Sequence, residues 1–205
     1  ANYTSGIRAF DLNQNADNPP EVGFFDTAPN STAATYNGLW SCYVDFPSGT
    51  IIGSDRESGL FVLNFERAGT TYCNGVANST GSVAEISALG TASVLRNDLG
   101  LSASNLPANS NGYFVVSRDR AFVQNPGGSQ GNLCIGANTG RYISQLGNSG
   151  AFGLLNLTVD STSIPQATGS VPAIPGDTFN FQCWFRDANP AATSNFSTGY
   201  AVTFY

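Results

Sequence analysis

Residues 178–186 read Thr-Phe-Asn-Phe-Gln-Cys-Trp-Phe-Arg, and this stretch decides the fold class of the 205-residue chain. Apolar side chains occupy every second position, and successive side chains of a β-strand point to opposite faces of its sheet. The alternation therefore predicts a strand with one face in the core. That face is expected to carry Phe179, Phe181, Cys183 and Phe185, and the outer face Asn180, Gln182, Trp184 and Arg186.

The same two-residue period recurs along the chain, and no stretch has the pattern of a helix longer than two turns. Asn-Gly pairs, which favour tight hairpin turns, occur at residues 37–38, 74–75 and 111–112. The sequence therefore predicts an all-β protein. Further strands are predicted at residues 6–10, 22–26, 39–46, 50–54, 60–65, 113–117, 132–135, 141–143, 155–159 and 200–204.

The composition argues against an enzyme. The chain has no histidine, lysine or methionine, and its eight positive side chains are all arginines. Histidine is the usual proton shuttle near neutral pH and lysine a usual covalent amine, so neither common route to catalysis is present. Paired carboxylates such as Asp55 with Glu57, or Asp11 with Asp26, suit a glycosidase in principle, but nothing in the sequence singles them out. The net charge of −6 also argues against nucleic-acid and anionic-membrane partners.

Cysteine spacing indicates an oxidising compartment. The four cysteines are 31, 61 and 49 residues apart, with no CxxC pair and no histidine to complete a zinc site. Long-range disulfides are expected, and with them an extracellular or cell-surface location. No apolar run reaches the ~18 residues that cross a bilayer. Without a charged and apolar leader at Ala1, the chain is expected to start at a mature terminus or a fragment end.

Five Asn-x-Ser/Thr sequons are candidate glycosylation sites. They begin at Asn2, Asn30, Asn78, Asn156 and Asn195.

Two parts of the sequence resemble a known family. Residues 1–12 (ANYTSGIRAFDL), 20–27, 37–41 and 46–63 resemble the last blade of the LVIVD-repeat β-propellers, the choice-of-anchor B proteins of secreting bacteria. The stretches 125–136, 140–142, 179–187 and 194–197 are similar to the β-sandwich module that follows such propellers. The resemblance implies a small blade-like antiparallel sheet at residues 1–67 and a C-terminal β-sandwich at residues 72–205. It implies export and transfers no active site.

The resemblance also implies how the cysteines pair. Cys73 and Cys134 stand where the family tends to carry cysteine, so a bridge between them is expected, which leaves Cys42 to pair with Cys183. The second bridge would tie the blade to the sandwich.

The first of two candidate ligand sites in the sequence is a row of alternating acidic and amide residues. Asp11, Asn13, Asn15 and Asp17 alternate as in a calcium loop, but Ala16 replaces the turn glycine and no glutamate follows at position twelve, so an Asx-type turn is favoured. No cofactor is expected.

Trp184, with Gln182 and Arg186 beside it, has the composition of a sugar-stacking surface, although an outward tryptophan more often packs under a loop or against a neighbour. Trp40 carries the same two interpretations, and packing inside the first sheet is preferred for it.

A blade that begins in mid-motif lacks its usual neighbours, so its edges must be covered. Three alternatives remain: the sandwich packs on it, another subunit's strand completes it, or the chain is a fragment of a longer precursor. The leading hypothesis is a non-catalytic structural or interaction protein that assembles into a surface polymer or joins a larger envelope complex. Carbohydrate binding is the alternative.

Overall fold

The computed structural model describes residues 2–10, 17, 19, 21–31, 33–64 and 68–205. The chain divides into two compact units, Ala1–Glu66 and Arg67–Tyr205. Both are built from antiparallel strands, with only two 3₁₀ turns among the described residues, so the prediction of an all-β protein is confirmed. Within the described part of the chain, no helix is both long and apolar enough to cross a membrane.

The first unit contains a two-stranded hairpin and a three-stranded sheet. The hairpin consists of β1 (Ile7–Phe10) and β2 (Glu21–Phe25), and the sheet consists of β3 (Leu39–Tyr43), β4 (Thr50–Asp55) and β5 (Gly59–Asn64) in the order β3-β4-β5. Gly53, in the middle strand, lies under Ile7 and Leu39: a Cβ there would stand 3.0 Å from Ile7 Cδ1 and 2.8 Å from Leu39 Cδ1. The glycine thus lets the hairpin pack closely on the sheet.

The second unit contains fourteen strands among its described residues. They are β6 (Thr70–Cys73), β7 (Glu85–Leu89), β8 (Gly100–Ser104), β9 (Asn111–Ser117), β10 (Arg120–Gln124), β11 (Asn132–Ile135), β12 (Gly140–Arg141), β13 (Gly147–Asn148), β14 (Leu155–Thr158), β15 (Ile164–Pro165), β16 (Ser170–Val171), β17 (Thr178–Ala188), β18 (Ala192–Phe196) and β19 (Gly199–Thr203). The 3₁₀ turns are Pro126–Gly128 and Ile143–Gln145.

Two sheets of the second unit share one core. The larger has the order β12-β9-β17-β19-β6, with β13 also on β9 and β18 also on β17, and the smaller has the order β14-β8-β7. Core side chains come from both sheets, which makes this unit a sandwich. Phe179, Phe181, Cys183 and Phe185 are all fully buried, as the alternation predicted. Burying each phenylalanine contributes roughly 1.5–3 kcal/mol.

The opposite face of β17 differs from the sequence prediction. Asn180 and Gln182 are buried, with 1% and 0% of their surface exposed, because the hairpin of β10 and β11 lies over them. Gln182 accepts the backbone N–H of Cys134 and donates to the carbonyl oxygens of Asn132 and Ser197. The expected exposed position of Gln182 is therefore wrong: its amide serves the fold.

An aromatic-cation pair helps to hold this covering hairpin. The Arg120 guanidinium lies 4.1 Å from the centre of the Tyr72 ring and donates to Asn180 Oδ1 at 2.8 Å. The Tyr72 hydroxyl donates to the carbonyl oxygen of Cys134 at 2.9 Å. Burial raises the pKa of Tyr72 to about 12, although the charge of Arg120 acts in the opposite direction. The phenol therefore stays neutral and keeps its proton for this hydrogen bond at physiological pH.

One of the two expected disulfides forms. Cys73 on β6 is bonded to Cys134 on β11, so that prediction is confirmed. The predicted Cys42–Cys183 bridge is wrong: Cys183 is a thiol wholly enclosed in the core of the second unit, whereas Cys42 is exposed on β3 of the first. The Cys183 thiol contacts the Trp184 carbonyl oxygen at 3.7 Å, and burial raises its pKa. It therefore acts as a small apolar core residue.

Candidate interaction surfaces

Strand β5 is an edge of its sheet. It pairs with β4 from Thr50 opposite Asn64 to Asp55 opposite Gly59. On its other side the described residues provide no strand. Its sequence, GLFVLN, has no charged residue and no proline, which are the residues that commonly prevent an edge from pairing with another chain.

One face of this three-stranded sheet is apolar and exposed. The register places Tyr43, Ile52 and Val62 side by side across the three strands. Val62 and its neighbour on the same face, Leu60, have 66% and 64% of their surface exposed. The other face is the packed one, because Phe61 on β5 makes an edge contact with Phe25 of the hairpin, at 5.3 Å between ring centres. The exposed side chains thus adjoin the open strand edge.

A second exposed surface of the first unit is aromatic. Tyr3 makes edge contacts with Tyr36 and Trp40, at ring-centre distances of 5.3 and 6.2 Å. The Arg56 guanidinium lies 5.9 Å from the Trp40 ring and donates to the carbonyl oxygen of Tyr36. Trp40 remains 61% exposed. Indole, phenol and guanidinium groups therefore share one solvent-facing cluster. The sequence indicated Trp40 but not its neighbours in this cluster.

The predicted sugar surface of the second unit is smaller than expected. Trp184 is half-buried, tilted against Tyr113 at 5.0 Å, and the Arg186 guanidinium lies 5.1 Å from its ring. Gln182 belongs to the covered interior and takes no part. What remains accessible is the partly covered indole and the exposed Arg186.

The five sequons divide into two classes. Asn2, Asn30 and Asn156 are exposed. Asn78 is 2% exposed, and its Nδ2, the atom that a glycan would be joined to, donates to the Asn105 carbonyl oxygen at 2.7 Å. Asn195 is fully buried. Burial therefore disfavours glycans at Asn78 and Asn195 in the folded chain, and glycosylation of the exposed sequons stays a prediction.

Most of the predicted calcium ligands between residues 11 and 17 lie outside the part of the chain that the structure describes. Asp11, Asn13 and Asn15 lie outside the described residues, and Asp17 is described without them. Across the ranges that the structure describes, no group of three or more acidic or cysteine side chains converges as metal ligands would.

No protein-family model, curated protein or solved structure matches the chain. The resemblance to the LVIVD-repeat propellers stays a prediction.

Proposed function

We propose that this protein is a non-catalytic, extracellular interaction protein that assembles through the open edge of β5. Pairing with a second copy gives a surface assembly, and docking onto a larger envelope complex would use the same edge. The observation that supports this proposal is the apolar, uncharged edge at Gly59–Asn64, which has a partner on one side only among the described strands.

Strand addition suits this edge physically. Backbone N–H and C=O groups of an open edge can bond to an added strand, and alternate side chains give the contact its specificity. Leu60 and Val62 would bury apolar surface on the same face when a partner arrives. The net charge of −6 opposes close approach of two copies, so self-association should strengthen as salt screens that repulsion.

The proposed location rests on the cysteines. The Cys73–Cys134 disulfide requires oxidising surroundings to persist. Exposed sequons at Asn2, Asn30 and Asn156 are compatible with a glycoprotein surface.

Sedimentation velocity and light scattering over increasing protein concentration test the assembly. The unaltered chain is expected to gain mass with concentration and with salt, and a Leu60→Lys/Val62→Lys double variant is expected to stay monomeric, because it places charges beside the edge. Leu95→Lys is the control, since Leu95 is 93% exposed in the other unit and should leave assembly unchanged. A monodisperse monomer at high concentration in the unaltered chain would refute self-assembly.

Carbohydrate binding is the second candidate, and the Trp40 cluster favours it. Two phenols, an indole and a guanidinium offer stacking faces and hydrogen-bond donors at an exposed site. Titration of extracellular polysaccharides is read by tryptophan fluorescence. The chain has two tryptophans, so Trp184→Phe leaves Trp40 as the only reporter and Trp40→Phe serves as the matched control. An unchanged signal across a broad panel would remove this candidate.

A further inference from the structure

Two arginines of the second unit have no carboxylate partner, and both lie on one face of its larger sheet. Arg141 and Arg186 are exposed, and neither forms an ion pair with any residue that the structure describes. By contrast, Arg96 and Arg118 of the same unit are each bound to a carboxylate group. The face that carries Arg141 and Arg186 thus has positive charge that the described part of the chain leaves unbalanced.

Strand register places both arginines on the same face as an aromatic pair. Trp184 stands opposite Tyr113 in the pairing of β17 with β9, and the two ring centres are 5.0 Å apart. Arg141 of β12 stands opposite Val115, which is two residues from Tyr113 in β9. Opposed residues share a face of the sheet, and so do residues two positions apart in one strand. Arg186 therefore follows Trp184 on this face, where its guanidinium lies 5.1 Å from the indole ring centre.

The groups on this face remain available to a ligand. Among the residues that the structure describes, no acceptor is bonded to the guanidinium group of Arg141 or Arg186. A guanidinium group carries five N–H donors in a planar fork that matches the two oxygens of a carboxylate. Trp184 and Tyr113 are only half-buried, so part of their apolar ring surface faces solvent. Cationic forks therefore stand on either side of a surface on which a sugar ring can lie.

The charge of the second unit does not oppose an anionic ligand. Residues 1–66 carry eight acidic and two basic side chains, whereas residues 67–205 carry six of each. The net charge of −6 therefore comes from the first unit. The residues that β9, β12, β13, β17 and β18 place on the face of Trp184 include no acidic one. A carboxylate arriving at these strands meets local positive charge.

The separation of the two arginines favours a polymer over a small anion. Arg141 and Arg186 lie two strands and four residues apart, so their Cα atoms are roughly 16 Å from each other, with strands about 4.8 Å apart and a rise of about 3.4 Å per residue. A single small carboxylate would have to draw both side chains together over the rings, whereas a chain of charged sugars can meet each arginine where it stands. Nucleic acid has a denser charge and uses a continuous basic groove, which two arginines do not form.

We propose that this face binds an extracellular polysaccharide built from uronic acids. We call it the Arg141–Arg186 face, and it consists of Tyr113, Arg141, Trp184 and Arg186. The sugar carboxylates bond to the two guanidinium groups, and a sugar ring between them lies on the exposed part of the aromatic pair. This site belongs to the second unit and is separate from the Trp40 cluster of the first.

Titration with polygalacturonate in calcium-free buffer tests the proposal. Fully methyl-esterified polygalacturonate is the matched ligand, because it has the same backbone without the charge. In the Trp40→Phe variant Trp184 is the only tryptophan, so its fluorescence reports binding at this face, and calorimetry gives the affinity. The acidic polymer is expected to bind more weakly as salt is added. The ester is expected to bind at least about tenfold more weakly than the acid, because it cannot form the charge-assisted hydrogen bonds.

Arginine variants locate the site. Arg141→Gln and Arg186→Gln should each weaken binding of the acidic polymer about tenfold, and the double variant should abolish it. Arg96→Gln is the control, because it removes the same charge from an exposed position of the same unit outside this face, and it should leave the affinity unchanged.

Several results would each overturn the proposal. They are equal binding of the acidic and esterified polymers to Trp40→Phe, unchanged affinity in the double arginine variant, an equal loss of affinity in Arg96→Gln, tighter binding of duplex DNA or dextran sulfate, and no binding at all. Loss of binding in Trp40→Phe would also overturn it and would assign the polymer to the Trp40 cluster. None of these readouts depends on assembly through β5.

Discussion

The side-chain carbonyl oxygen of Gln182 accepts the backbone N–H of Cys134 at 2.9 Å, and both residues are fully buried. The Gln182 amide also donates to Asn132 and Ser197. One side chain in the central strand thus bonds both to the covering hairpin of β10 and β11 and to the neighbouring chain segment after β18. Packing on this side of the sheet depends on polar complementarity, in contrast to the phenylalanine-rich face opposite.

Replacing Gln182 should destabilise the second unit. Gln182→Leu leaves the N–H of Cys134 and the carbonyl oxygens of Asn132 and Ser197 without this partner, and each such buried group costs about 1–3 kcal/mol. We expect a loss of at least about 2 kcal/mol in the free energy of unfolding by urea. Gln124→Leu, at an exposed position of β10, is the control and should change it little. Equal stabilities of the two variants would contradict this role.

Removing the disulfide should destabilise the same unit. The bond joins residues 61 positions apart, for which the chain-entropy treatment gives a contribution of about 4 kcal/mol. Cys73→Ser/Cys134→Ser should therefore lower the denaturation midpoint in oxidising buffer. The same change should be absent when both chains are measured in reductant, which separates the covalent link from the effect of the serines.

Thiol labelling should distinguish the two remaining cysteines. Iodoacetamide is expected to modify exposed Cys42 on the native chain, whereas Cys183 should react only in denaturant because it is buried and its pKa is raised. Peptide mass spectrometry identifies the modified residue. Rapid native labelling of Cys183 would show that the core of the second unit opens readily.

Glycan mapping should separate the sequons by burial. In a host that performs N-glycosylation, the secreted folded chain is expected to carry glycans only among Asn2, Asn30 and Asn156. A glycan on Asn78 would displace its bond to the Asn105 carbonyl oxygen. Enzymatic deglycosylation in heavy-oxygen water marks the occupied sites by mass, and substantial occupancy of Asn78 in folded material would contradict the structure.

Acid should weaken the second unit partly through Asp98. Its Oδ1 accepts the Thr91 hydroxyl at 2.7 Å and its Oδ2 accepts Arg96 Nε at 3.1 Å. Burial raises the pKa of Asp98, but these donors outweigh burial and hold it below the usual 3.8. Near pH 3.8, the Asp98 carboxyl therefore binds fewer protons in the folded chain than in the unfolded chain. The stabilisation of the folded state by Asp98 is complete above about pH 5 and is lost as the pH falls through the lowered pKa.

Melting curves between about pH 3 and pH 5 test this linkage. Asp98→Asn should show a smaller fall in Tm with acid than the unaltered chain, and Thr91→Val should show an intermediate fall because it removes one donor. Parallel plots of Tm against pH for all three chains would exclude a contribution of Asp98 to the loss of stability in acid.

The alternation within residues 178–186 correctly placed the core face of β17, because phenylalanine at every second position has one favourable arrangement. It did not reveal that Asn180 and Gln182 are buried, since the hairpin residues that bond to them, Arg120 and Asn132, lie about 50 to 60 residues away in the chain. The identity of an amide residue in the sequence does not show whether its side chain will face water or a covering hairpin with matching donors and acceptors.

Strands β7 and β8 were missed for a different reason. Glu85–Leu89 (EISAL) and Gly100–Ser104 (GLSAS) contain one β-branched residue, Ile86, and no aromatic residue between them, so their intrinsic strand preference is weak. Their position in the smaller sheet buries them. Thr27 and Asp55 are far apart in the chain and lie together only in the folded first unit, so no sequence pattern joins them. The sequence presents Asp55 and Glu57 as one carboxylate pair among others, with no feature that favours it.

Strand β6 is the last strand of the larger sheet in the second unit, and β5 is the last strand of the three-stranded sheet in the first unit, yet the two edges differ. Cys73 of β6 is bonded to Cys134, and the Tyr72 hydroxyl reaches the Cys134 carbonyl oxygen, so β6 is tied to the hairpin that covers the face of its sheet. Detaching β6 from β19 would leave it tethered to that hairpin while the disulfide is intact. This terminal strand should therefore fray less under oxidising conditions than in reductant.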